Sequence, residues 1–143
     1  VVGWIGVDQA KAAIMKVANA SDKATYMMVT QAAALAEAEA KHNFSGAHAK
    51  GEPHTGGNRP NIVTGTLRRS IRADPVRRLG FQEWGTHVGP RVIYGRRVEL
   101  GYDRGGRGPG HQRTRPFPYF GPGVESARAQ YAALVVRIWR QFI

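Results

Sequence analysis

Residues 8–43 contain neither Gly nor Pro and are dense in Ala. Nothing in this stretch ends a helix, and Ala is the strongest helix former. Ile14, Val17, Ala24, Met28 and Leu35 recur at spacings built from three and four, as on one face of a helix. The pattern predicts one helix over 8–43. Ser21-Asp22 is a capping pair that allows a break near Asn19 and so a helical hairpin. Unbroken, the rod is ~54 Å long at 1.5 Å per residue, more than one small domain needs. Its stripe of Ala and Met suits close approach of other helices. Surface is therefore expected to be left over for neighbouring subunits, with Met28 and Leu35 as contact candidates.

The rest of the chain must supply the partner layers. Residues 44–63 are rich in Gly and Pro and read as a loop. Thr64-Gly65 is a turn, with Gly at positive φ and the Thr side chain bonding local backbone. Leu67 and Ile71 suit a helical turn, whereas Leu67, Arg69 and Ile71 alternate as on a strand; a turn running into a strand at about Arg69 is preferred. Asp74-Pro75 and Gly89-Pro90 are breaks, with Leu79–Val88 a half-buried strand between them. Strand continues at Arg91–Tyr94, and Arg96–Leu100 is strand or short helix. Trp84 and Tyr94 are expected in the core, as is Phe117. Val124, Ala127, Tyr131, Leu134, Ile138 and Phe142 form one apolar helical stripe.

The prediction is a single α+β domain over 1–143: an arm (1–7), the long helix (8–43), a loop (44–63), a small antiparallel sheet (64–101), an Arg/Gly-rich loop (102–118) and a C-terminal amphipathic helix (121–142) packed on the sheet. The apolar opening, with Trp4 and Ile5, lacks the basic flank of a signal peptide and reads as an arm for subunit contact. No apolar run is long enough for a membrane span.

Charge divides the chain. The net charge is +11. Residues 1–58 balance five Lys against five acids, whereas 59–143 carry sixteen Arg, no Lys and five acids. Such an excess implies an anionic partner, either nucleic acid or an acidic protein surface, or else Arg-rich subunit interfaces. Gly and Arg interleave over 101–115, as in flexible nucleic-acid-binding segments; Arg104, Arg107, Arg113 and Arg115 are the candidates there.

Chemistry is hard to find. The absence of Cys excludes disulfides, thiolate metal sites and a Cys nucleophile, and fits a reducing compartment. His42, His48 and His54 are spaced by six but match no zinc pattern. A nuclease built from His87, Glu83 and Glu99 can be drawn, yet nothing in the spacing requires it; Glu83 and Glu99 are equally suited to pairing with Arg. No catalytic residue, cofactor or metal is expected.

Three segments, in order, resemble the HK97 gp10-like family of tailed-phage neck and tail-completion proteins. They are Pro60 through Thr64-Gly65-Thr66-Leu67-Arg68-Arg69-Ser70-Ile71; Val88-Gly89-Pro90-Arg91-Val92-Ile93-Tyr94 with Val98-Glu99-Leu100-Gly101; and Arg115-Pro116-Phe117 before the C-terminal helix. Val63 stands where the family often has Asp, and the loop at 44–59 is long. The resemblance implies a virion protein, made in the host bacterial cytoplasm, at the head-to-tail junction. It would be a homo-oligomeric ring of six or twelve copies around the DNA channel, contacting portal-associated, neck and tail proteins and non-specifically the DNA. A tail terminator, a minor capsid protein and a free basic nucleic-acid-binding protein are the alternatives.

Overall fold

The computed structural model describes residues 6–47, 49–50, 57, 59–103 and 113–142. Helix α1 spans Val7–His42 without a break. Ser21 does not act as a cap; it lies inside the helix, where its carbonyl accepts the Thr25 hydroxyl at 2.9 Å. The long helix is as expected, and the break near Asn19 that Ser21-Asp22 allowed, with the alternative hairpin, is not formed.

The C-terminal helices and part of the strand region pack along this rod. The described strands are short and form four two-stranded pieces rather than one sheet. β1 (Ser45–Ala47) pairs in parallel with β2 (Asn61–Ile62) inside the expected loop. β3 (Arg72–Ala73) pairs antiparallel with β6 (Val88–Gly89), and β4 (Arg77–Gly80) with β5 (Glu83–Gly85). β7 (Tyr102–Asp103) pairs antiparallel with β8 (Arg113–Thr114).

Several sequence expectations need correction. The single strand at Leu79–Val88 is a hairpin that turns at Phe81-Gln82, Gln82 adopting φ 53°. The strand expected from Arg69 begins later, because Thr66–Ser70 is helical (α2). The helical turn sends both Leu67 and Ile71 inward and leaves Arg69 in solvent; a strand would have aimed all three at one face. Gly65 does take positive φ (74°), and the Thr66 N–H donates to the Thr64 hydroxyl. Arg91–Tyr94 is a turn rather than a strand, and it leads into α3 (Gly95–Leu100). Tyr94 is exposed, and Phe117 only half-buried. The core aromatic of this region is Tyr119, 1% exposed.

The C-terminal stripe is as expected, with Ala127, Leu134 and Ile138 buried. It belongs to two helices, α4 (Phe120–Arg128) and α5 (Tyr131–Phe142), and they pack on α1 rather than on a sheet. They run back along it: Gly123 meets Ala40, the Tyr131 hydroxyl reaches the Ala32 carbonyl, and Arg137 reaches Gln31. At Gly123 a Cβ would lie 2.5 Å from the Cα and N of Ala40, so a missing side chain sets the crossing distance. Two clusters result. One joins Ala40, Leu67, Ile71 and Tyr119, with Phe44, Val98 and Phe120 against it. The other joins Ala24, Leu134 and Ile138, with Met27, Met28, Trp139 and Phe142 around it.

Glu99 ties the layers together. Its Oε2 accepts the N–H groups of Tyr119 (2.7 Å) and Phe120 (2.9 Å), and its Oε1 that of Gly121 (2.8 Å). The first N–H groups of a helix have no partner within it, so α3 supplies the cap that α4 lacks locally. Among the described residues Glu99 makes no ion pair with the Arg that could have paired with it.

Candidate assembly interface

The two clusters cover α1 from about Ala24 to Ala40. The hairpin β4–β5 extends that cover to the middle of the rod through Asp22, whose carboxylate accepts the Arg78 guanidinium and the Trp84 indole N–H at 3.1 Å. Arg78 lies 4.4 Å over the Trp84 ring, and Tyr26 meets that ring edge-on at 5.0 Å. Arg78's hydrogen bond outweighs desolvation and, with Trp84, holds the Asp22 carboxyl below its ordinary range. The Gln82 amide reaches the Ala18 carbonyl.

Among the described residues the cover stops N-terminal to Ala18. Every residue from Val7 to Val17 is exposed, a helical projection ~16 Å long. It is apolar where a solvated helix would be charged. Ile14 is 68%, Met15 59% and Val17 62% exposed. Val7, Ala10, Ile14 and Val17 follow the 3-4 spacing of a helix seam. One heptad separates Val17 from Ala24, and two separate Ile14 from Met28, so the bare stripe continues the face sealed further on by Leu134 and Ile138.

A second apolar feature lies on the other half of the rod. Gln31, Ala34, Leu35, Ala129, Gln130, Ala133, Leu134 and Arg137 line an open groove of about 630 Å³ between α1 and the α4–α5 pair. The break at Ala129-Gln130 places two small residues, Ala129 and Ala133, along it. Of the contact residues expected from sequence, Leu35 lines this groove, and Met28 packs within the chain against the Ala24 cluster. Trp4 and Ile5 lie outside the described residues.

The arginines form the third feature. Arg59, Arg69, Arg77, Arg96, Arg97 and Arg140 are exposed and make no ion pair among the described residues. Arg91 and Arg128 are paired, with Asp74 and Glu125. Of the loop candidates, Arg104 and Arg107 lie outside the described residues, and the Arg113 backbone is in β8. Arg115 is exposed but anchored: it lies 4.8 Å over the Phe117 ring and donates to the Gly57 carbonyl at 2.8 Å.

Glu99 is engaged by backbone N–H groups at the start of α4, while Glu83 and His87 are exposed. His42 is exposed at the end of α1, and His48 and His54 lie outside the described residues. Among the described residues no three His, Asp or Glu side chains cluster as metal ligands, and no helix is long and apolar enough to cross a membrane. No protein-family model matches the chain, and neither a curated protein nor a solved structure is similar to it.

Sequence reasoning missed the Glu99 cap and the Asp22 hub. Their partners lie 20 and more residues away, and no local spacing announces them.

Proposed function

We propose that this chain is a structural subunit of a tailed-phage particle, assembling with copies of itself into a ring at the head-to-tail junction. The observation that carries the self-assembly is the bare apolar end of α1. Soluble monomers rarely leave a contiguous apolar surface of this kind, and where it occurs it marks a contact site. The phage assignment rests on the three ordered motifs, Thr64–Ile71, Val88–Gly101 and Arg115–Phe117. The exposed arginines suit a ring that holds DNA in its channel, since phosphate contacts need charge and no base readout. The role is mechanical, and the side chains that matter are interface side chains.

Electron microscopy of lysates from a phage with an early stop codon in this gene tests the reading. Filled heads beside separate tails of normal length are expected. Tails of abnormal length would make the protein a terminator, and intact infectious virions would refute a structural role.

A second reading, a free basic nucleic-acid-binding protein, is favoured by the exposed Arg96 and Arg97 on α3, which make no ion pair among the described residues. It requires tight DNA binding by the isolated monomer, with log affinity falling steeply against log salt. The ring reading expects weak binding by the monomer.

A further inference from the structure

Resting on the ring reading, we infer that the projecting end of α1 from one subunit seats in the α1/α4–α5 groove of the next. The occupant is a second copy of this chain, and three observations select it.

The first is continuity. The stripe Val7, Ala10, Ile14 and Val17 extends the face that α5 covers at Ala24 and Met28. A helix is therefore the kind of partner this stripe is built to meet. The second is fit. The exposed projection is ~16 Å long, and the groove runs along ~12 Å of helix from Ala129 to Arg137. Ala34, Ala129 and Ala133 are small, which lets a third helix approach a pair of helices closely, while Ile14 and Val17 supply the bulk.

The third observation is charge. The projection carries only Asp8, Lys11 and Lys16, and the groove is edged by Gln31, Gln130 and Arg137. Neither surface holds the concentrated positive charge that a nucleic acid would select, and neither strongly repels the other. Because stripe and groove are different surfaces, the contact is head-to-tail. A head-to-tail contact is what generates rings, whereas a surface that pairs with itself stops at a dimer.

The chain has no native cysteine, so introduced ones report cleanly. Cys is placed at Ile14 or Val17 in one chain and at Ala34 or Ala133 in another; the chains are mixed and treated with a short bismaleimide. All four positions are exposed. Within one chain, residues 17 and 34 are ~25 Å apart along α1, so cross-links report contacts between copies. Arm–groove mixtures are expected to yield dimers containing one chain of each kind, and the double variant Val17→Cys with Ala133→Cys a ladder. Ile14→Asp, at an exposed position, is expected to give a monomer of unchanged helix content by light scattering and circular dichroism.

Oligomers that give no arm–groove cross-link would overturn the inference while leaving the ring reading intact. So would cross-links in the arm variants alone, which would mean that two arms pair with each other. A wild-type chain that stays monomeric at high concentration would overturn both.

Discussion

Glu99→Ala is the substitution with the best-defined cost. It removes the acceptor for three N–H groups, those of Tyr119, Phe120 and Gly121. Gly121 is exposed, so water replaces its bond at little cost. Tyr119 and Phe120 are part of the core cluster, and a buried donor left unpaired costs ~1–3 kcal/mol. Loss of a negative charge at the start of α4 adds ~0.3–1 kcal/mol. The sum is ~3 kcal/mol, against a total of ~5–15 kcal/mol for a domain. With a urea slope of ~1–3 kcal/mol/M, the midpoint should fall by ~1–3 M. Glu99→Gln keeps one neutral acceptor and should lose less than half as much. Urea titrations followed by far-ultraviolet circular dichroism measure both. A shift below ~0.5 kcal/mol for Glu99→Ala, within the range of ordinary surface substitutions, would refute the claim that α3 caps α4.

Gly123→Ala should destabilise by ~1–3 kcal/mol despite Ala's better helix propensity, because the new methyl meets the Ala40 backbone; thermal melts would show it. Burial, then the charge of Glu99 and Tyr94, raises the Tyr119 hydroxyl from 10.0 to about 12. A raised acid contributes stability fully below its unfolded value, so stability should decline from about pH 10 to 12, and Tyr119→Phe should remove that decline in urea titrations at alkaline pH. For Glu37, burial acts to raise the carboxyl, but the Lys41 ammonium and the Ala73 N–H outweigh it and leave it lowered. Its stabilisation is present above the usual glutamate range and lost as pH falls through the lowered value, so Glu37→Gln should flatten the acid limb of the stability profile. If the assembled ring binds DNA through α3, Arg96→Ala with Arg97→Ala should reduce the slope of log affinity against log salt by ~2, measured by fluorescence anisotropy.

The long helices were readable because their evidence is local, whereas the five residues Thr66–Ser70 read as a turn into a strand. Ala density and the lack of Gly or Pro specify α1, and the spacing of Ala127, Leu134 and Ile138 specifies the buried C-terminal face. The strands were not, for a physical reason: each is two to four residues long, too short for alternation to separate strand from turn. Leu79–Val88 alternates in part, yet a residue at positive φ folds it into a hairpin. The partner of the C-terminal stripe was misassigned because amphipathicity says that a face is buried, not against what. Leu35, which lines the groove, lies on the stripe that spacing marks. Ile14 and Val17 belonged to the same stripe, but periodicity does not say where a covering helix stops. The charge asymmetry was plain in composition, whereas the anchoring of Arg115 by Phe117 and Gly57 needs three dimensions.

The antiparallel return of α4 and α5 along α1 also has a consequence for synthesis. The groups that seal α1 are far from it in sequence: Asn43 binds the Tyr119 carbonyl across 76 positions, and Arg137 binds Gln31 across 106. While a ribosome is still making the middle of the chain, α1 lacks the cover that Leu134 and Ile138 give to Ala24 and Met28. Contacts of such long range form late and slowly. A chain released before residue 120 would lack α4 and α5 and with them the groove. If subunits join as proposed, only a chain that has folded through α5 offers both surfaces of the joint, and the order of folding screens which molecules can enter an assembly.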